Sequence, residues 1–210
     1  MVKIVKASQA DFDAKAAEFL IEGVVALPTG NTPLGMYRLL RERKIDWSKI
    51  KIFMLDAFYP QEPNDPTSFA SYMKTNLPGV ELNILDSNPS DPEKECQAYE
   101  AKIKQAGGLD LAILGIGPNG HIAFNESGTD PNLLTHKTRL VNQPFEFGLT
   151  MGIKTIMVAK KIVLLAKGAN KAAAVKAALT PPPVLICPAS WLQNHPDCTF
   201  LIDQEAAAKL

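Results

Sequence analysis

Cysteine is scarce in this chain: three residues in 210, at Cys96, Cys187 and Cys198. An odd number without metal-ligand spacing speaks against a disulfide framework or a thiolate metal site and fits thiols kept reduced. Net charge is lacking as well. Twenty-two basic and 22 acidic residues cancel, which removes the electrostatic ground for a nucleic-acid or anionic-membrane partner. The opening MVKIVKASQADFDAKAAEFL carries charges throughout and no uninterrupted apolar stretch. Neither a secretory leader nor a membrane span is expected there, and a cytoplasmic location follows. Internal repeats and disordered linkers are absent. At 210 residues and 46% hydrophobic content, one domain over 1–210 with a sizeable core is expected. Histidine is as rare as cysteine, with three residues, so the setting of each one matters.

What is present is an alternation of apolar runs and helical patterns. Ser8 opens a helical pattern with apolar positions at Phe12, Ala16, Phe19 and Leu20, at spacings of three and four. Val24 to Leu27 reads as a buried strand, broken by Pro28-Thr29-Gly30-Asn31-Thr32-Pro33. Thr32 as N-cap and Pro33 at the first helical position then start a helix to about Arg43. Ile52 to Leu55 is a second strand ending at Asp56, with Pro60 and Pro63 forbidding continuation of regular structure. Thr67 or Ser68 caps a helix to Leu77, and Asp91-Pro92 starts another that Gly107-Gly108 ends. Leu109 to Leu114 is the third strand. Ile162 to Ala166 is the fourth, running through Lys167-Gly168-Ala169-Asn170 into an alanine-rich helix from Lys171 to Leu179. Pro181-Pro182-Pro183 precedes a final short helix and the strand Cys198 to Ile202. Strands alternating with helices in this way predict an α/β fold: a doubly wound, mostly parallel sheet with helices on both faces.

Ligands bind outside the carboxyl ends of the strands in such sheets, and four of those ends carry polar turns: Pro28 to Thr32, Asp56, Gly115 to Glu126, and Lys167 to Lys171. The first reads as an anion cradle or as an ordinary strand-to-helix turn. As a cradle, Gly30 admits a close ligand, Thr29 and Thr32 offer hydroxyls, and the next helix directs free N–H groups outward. Lys171 either adds a cation to the same ligand or is solvated surface. Asp56 is a desolvated general base or a turn-forming Asp. His121 and Glu126 sit in one glycine-rich turn, close enough for the carboxylate to polarise the imidazole. The Gly115, Gly117 and Gly120 spacing lacks the helix and the downstream acid of a dinucleotide fingerprint.

Leu27-Pro28-Thr29-Gly30-Asn31-Thr32-Pro33-Leu34-Gly35, together with Gly115-Ile116-Gly117-Pro118-Asn119-Gly120-His121-Ile122-Ala123-Phe124-Asn125-Glu126, resembles the glucosamine-6-phosphate deaminase (isomerase) family. Leu55-Asp56, Ser71-Tyr72-Met73, Leu149-Thr150-Met151-Gly152-Ile153, the Gly168 to Lys171 turn and Pro188-Ala189-Ser190-Trp191-Leu192-Gln193 match in order. The related 6-phosphogluconolactonases share the Gly-His core but typically continue into Ala-Ser, so Phe124-Asn125-Glu126 favours the deaminase branch. The resemblance implies an aldose–ketose isomerisation with loss of ammonia from an amino-sugar 6-phosphate, gluco or galacto, needing no metal and no cofactor. It implies that His121, oriented by Glu126 and Asn119, opens the sugar ring and that Asp56 moves a proton between C2 and C1. Thr29, Gly30, Asn31 and Thr32 would cradle the phosphate, with Lys171 supplying charge and Gly115 allowing close approach of the sugar.

Some positions depart from the family pattern. Asn119 stands where an Asp is common, and Ala57 and Phe58 stand where Glu and Tyr usually follow the catalytic Asp. The segment after Glu126 is shorter than the family norm; it aligns Thr138-Arg139 and Asn142 with a Thr-Arg-x-x-Asn element and puts Pro144 where a phosphate-binding Arg is expected. Whether another cation, such as Lys154 or Arg139, replaces that Arg is open at the level of sequence. A chain ending at Leu210 predicts a compact relative not activated by an N-acetylamino-sugar phosphate; the oligomeric state, monomer or small homo-oligomer, is open at the level of sequence. Two other readings stand beside this one: a lactonase-like hydrolase in which His121 activates water, and a non-catalytic sugar-phosphate-binding protein. Regulators of the second kind need a DNA-binding segment, and no helix-turn-helix precedes Val24.

Overall fold

The computed structural model describes residues 2–62, 64–141 and 143–210. Its main sheet has seven strands in the order β1-β10-β9-β6-β2-β3-β5. They are β1 (Lys3–Ala7), β2 (Gly23–Leu27), β3 (Ile50–Met54), β5 (Leu82–Asn83), β6 (Leu111–Gly115), β9 (Lys161–Ala166) and β10 (Cys198–Asp203), and every pairing is parallel. The α/β, mostly parallel sheet expected from the alternation of strands and helices is therefore observed.

Side chains alternating along each strand feed two cores. On one face Val25, Leu27, Ile52, Leu111, Ile113 and Val163 pack under α1 (Phe12–Glu18), α2 (Leu34–Glu42) and α3 (Phe69–Asn76). On the other, Ala26, Phe53, Ala112, Leu114, Leu164 and Phe200 pack under α4 (Pro92–Gln105), α5 (Ile153–Met157) and α6 (Ala172–Leu179). A strand covered on both sides must be apolar at every position. That is why LAIL in β6 is a continuous apolar run rather than an alternating one.

From β2 the chain winds outward through β3 to β5, while from β6 it winds the other way through β9 and β10. β2 and β6 are neighbours, so their carboxyl ends flank the point where the winding reverses, the usual place for a ligand in an open α/β sheet.

Several boundaries differ from the sequence reading. Thr32 does not cap α2: the N-cap position is Pro33, with no side-chain bond, and Leu34 is the first helical residue. Asp56 does not close a strand. The backbone bends at Leu55, and Asp56 opens β4 (Asp56–Tyr59), which runs up to Pro60. β4 belongs to a second, antiparallel sheet of order β4-β8-β7, with β7 (His136–Arg139) and β8 (Phe147–Thr150). Ser68, not Thr67, caps α3 by accepting from the Ser71 N–H. The alanine-rich helix begins at Ala172, after a single 3-10 turn at Ala169–Lys171. Among the described residues no helix is long and apolar enough to cross a membrane.

Candidate active site

The four polar turns do converge. A cleft of about 250 Å3 is lined by Pro28 to Thr32, Leu55, Asp56, Phe69, Gly115 to Pro118, His121, Ala123, Phe124, Gln143 and Lys171. A larger cavity of about 520 Å3 opens at the other end of the sheet, beside β3 and β5, lined among others by Trp47, Lys51 and Lys102. Size does not select the site; the chemistry sits at the strand carboxyl ends.

The loop after β2 is held open by two tyrosines. The Tyr37 hydroxyl donates to the Pro28 carbonyl at 2.5 Å, and the Tyr72 hydroxyl donates to the Gly30 carbonyl at 2.6 Å. With these carbonyls engaged, the loop's remaining polar groups are left for a ligand. Gly30 adopts φ of 90°, a region where a side chain would be strained.

Asp56 lies in this cleft and is buried, with Oδ1 lacking a hydrogen-bond partner among the described residues. Burial pushes its carboxyl up to about 7, against the opposing charge of His121. A carboxylate so placed exchanges protons at neutral pH.

The histidine loop is an ordered relay. His121 Nδ1 lies 2.8 Å from Asn119 Oδ1 and 3.2 Å from Glu126 Oε1, while Asn119 Nδ2 donates to Glu126 Oε2 at 2.8 Å. That last bond fixes the amide: its NH2 faces the carboxylate and its oxygen faces the imidazole. Nδ1 therefore carries a proton, and Nε2 is left as the basic nitrogen in the neutral ring. Hydrogen bonds from His121 and Asn119 hold the Glu126 carboxyl below its ordinary range, so it stays ionised. Glu126 and Asn119 thus act behind His121 instead of lining the cleft. The loop is tight enough that a Cβ at Gly117 would overlap the imidazole. Ala123 takes φ of 49°, uncommon for a residue with a side chain. Asn125 locks the turn by donating from Nδ2 to the carbonyls of Ile122 and Met151 at 3.0 and 2.9 Å.

Lys171 reaches the cleft from the turn after β9, and burial lowers its pKa. The fully buried Asp203 organises that turn. It accepts from the Gly168 N–H at 3.0 Å and from the Ala206 N–H at 2.7 Å. Asp203→Ala would strand both donors in the interior and is expected to cost about 2–4 kcal/mol. A fall in the urea midpoint at unchanged m-value would record it; an unchanged midpoint would show that the turn holds without the carboxylate.

Neither Lys154 nor Arg139 is among the described residues lining the cleft. Arg139 pairs with Glu146 at 3.3 Å. Pro144 is exposed, and Asn142 lies outside the described residues. Ala57 is buried beside Asp56 in β4, and Phe58 stacks on Phe145 with centroids 5.0 Å apart. All three cysteines are free and buried, and burial raises the thiol pKa of each, to about 12 at Cys96 and Cys198. The sequence does not single out Tyr37, Phe69 and Gln143, because no local signal marks a residue that reaches a site from another element.

A model of the family described as glucosamine-6-phosphate isomerases/6-phosphogluconolactonase matches residues 3–201. The glucosamine-6-phosphate deaminase of Halothermothrix orenii is 40% identical over 213 residues, covering 90% of this chain and 88% of that protein. That of Alkaliphilus oremlandii is 42% identical over 212 residues, with the same coverage. Among solved structures, a monomeric glucosamine-6-phosphate deaminase superposes with a TM-score of 0.92 at 32% identity, over 100% of both chains. The 6-phosphogluconolactonase of Thermotoga maritima superposes with a TM-score of 0.80 at 24% identity, over 97% of this chain and 100% of that one, a likeness of fold alone.

Proposed function

The chain belongs to the glucosamine-6-phosphate isomerase/6-phosphogluconolactonase family, and within it we propose that it is an amino-sugar 6-phosphate deaminase, releasing ammonia and the ketose 6-phosphate. One observation carries the reading: a buried Asp56 with a raised pKa shares a cleft with the His121–Asn119–Glu126 relay. That pairing supplies two independent proton-transfer groups, which a ring opening followed by an isomerisation requires.

In the proposed sequence the loop 29–32 and Lys171 hold the phosphate through backbone N–H groups, hydroxyls and one ammonium. Gly115, which has no heavy atom within 4 Å of the place a Cβ would take, leaves room for the sugar. His121 Nε2 takes the proton of the anomeric hydroxyl and passes it to the ring oxygen as the bond from C1 to that oxygen breaks. The carboxylate of Asp56 next removes the C2 proton of the open aldehyde, giving an enolamine, and returns a proton to C1. The imine now at C2 adds water and expels ammonia, leaving the ketose. Glu126, through Asn119, compensates the charge on the imidazole while it holds a proton. We take the working unit to be a single chain. The solved deaminase that superposes with a TM-score of 0.92 is described as monomeric.

The test is to incubate the protein with glucosamine 6-phosphate and with galactosamine 6-phosphate and to measure ammonia and ketose 6-phosphate together. Equal amounts of both products from either epimer are expected. Ammonia without ketose, or no ammonia from either sugar, would refute the assignment.

A further inference from the structure

Among the described residues lining the cleft, one polar side chain has no part in this mechanism. Gln143 lines the cleft from the loop joining β7 to β8. The two described ends of that loop are paired as a hairpin. Arg139 faces Phe147 in the ladder, the Leu140 N–H donates to the Glu146 carbonyl at 2.8 Å, and Arg139 closes on Glu146. At its base, Glu100 accepts from the N–H and hydroxyl of Thr135 and from the hydroxyl of Thr155, tying the approach to β7 onto α4 and α5. Phe145 anchors the tip by stacking on Phe58, which packs in turn on Phe69 and Phe124, with centroids 4.6 and 5.3 Å apart.

Two facts locate the end of the ligand that this tip meets. In the β4–β8 ladder Asp56 is opposite Thr150, whereas Phe147, next to the tip, is opposite Tyr59. The tip therefore lies three residues, about 10 Å, along the strand from the base. Phe69, under the anchor, sits on α3 one turn from Tyr72, whose hydroxyl holds the Gly30 carbonyl. The hairpin thus descends beside the loop after β2, at the end of the cleft remote from the reacting carbons. The cations of β7 are engaged elsewhere. Arg139 is engaged by Glu146, and Lys137 lies over the rings of Tyr59 and Phe147 at 5.1 and 4.3 Å. Lys171 is the one lysine or arginine among the described residues lining the cleft.

We infer that Gln143 is a specificity-determining residue for the phosphate, its amide NH2 donating to a phosphate oxygen opposite Lys171. This rests on the sugar-phosphate reading of the cleft. A dianion met by one ammonium and neutral donors is held by hydrogen-bond geometry more than by net charge, so a cation placed at the tip should strengthen binding.

The test uses calorimetric titration of the wild type, Gln143→Ala, Gln143→Arg and Phe145→Ala with sorbitol 6-phosphate and with sorbitol, none of which reads turnover. Thermal unfolding of each variant accompanies it. Gln143→Ala is expected to weaken sorbitol 6-phosphate binding five- to twentyfold at unchanged thermal stability, Phe145→Ala to weaken it similarly, and Gln143→Arg to tighten it. Sorbitol affinity should respond to none of these. Wild-type affinity for sorbitol 6-phosphate retained in Gln143→Ala would overturn the inference while leaving the deaminase reading standing. An equal loss for sorbitol would overturn the assignment to the phosphate. A wild type that releases ammonia from an amino-sugar phosphate yet fails to bind sorbitol 6-phosphate would also count against it.

Discussion

Replacing Asp56 by Asn should lower turnover about a thousandfold and, at the same time, make the protein more stable at pH 8. The two effects have one cause. Burial lifts the carboxyl from its ordinary 3.8 to about 7, so the folded chain holds this proton more tightly than the unfolded chain does. Between pH about 4 and about 7 the native state binds more protons at this position, and by linkage the stability contributed by Asp56 falls as pH rises through that window. Above pH 7 the loss is complete, amounting to about 4 kcal/mol at most for a shift of this size. Asn is close in shape and has no charge to desolvate. The gain from Asp56→Asn should therefore be small near pH 4, grow up to pH 7 and remain level above it. For a chain of this length each kcal/mol moves the midpoint by about 2–4 °C, so a rise of several degrees at pH 8 is expected from calorimetry. A variant that is inactive and less stable at pH 8 would show that Asp56 is a structural partner and not a strained base.

The second large effect concerns Asn119. Its amide is the link that orients His121, because Nδ2 is committed to Glu126 and Oδ1 to the imidazole. Asn119→Leu keeps most of the volume and removes both bonds. A catalytic group displaced by about an ångström loses roughly a hundredfold in rate, so kcat should drop by about that factor with KM little changed. Asn119→Asp separates geometry from charge. The acceptor for Nδ1 survives, but a second carboxylate arrives where Nδ2 now sits, 2.8 Å from Glu126 Oε2, and two carboxylates that close cannot both ionise easily. A proton is bound more tightly around the ring, whichever group carries it. The acid limb of the kcat/KM profile should then move to higher pH, with activity close to wild type above pH 8. An unmoved limb would mean that the side chain at position 119 is not coupled to the proton-transfer groups of the cleft.

Legibility from the sequence followed burial and locality. The central strands were readable because both faces are covered, which forces continuous apolar runs such as Ala112 to Leu114. The two loops at the reversal point were readable because backbone constraints wrote glycine and proline into them. Edge and surface strands were not. β1 is Lys3–Ala7, largely exposed, and pairs with a partner almost two hundred residues away, so nothing local announces it. β7 reads His-Lys-Thr-Arg and has no apolar face; it exists because β8 and β4 are beside it. Asp56 was located correctly in the cleft and wrongly in the chain. Pro60 was taken to end regular structure early, whereas the chain bends at Leu55 and forms a new strand as far as Tyr59. The arrangement of Asn119 between His121 and Glu126 was also beyond the sequence, since spacing within a turn gives proximity but not which amide atom faces which partner.

In the proposed function Asp56 and His121 serve an isomerisation with deamination rather than lactone hydrolysis. The most direct measurement is kcat/KM of one preparation for glucosamine 6-phosphate, galactosamine 6-phosphate and 6-phosphoglucono-δ-lactone, the last corrected for spontaneous hydrolysis. A preference of about a thousandfold or more for one of the amino sugars, lost in Asp56→Asn, is what the account predicts. Preferred hydrolysis of the lactone, with the amino sugars untouched, would contradict it.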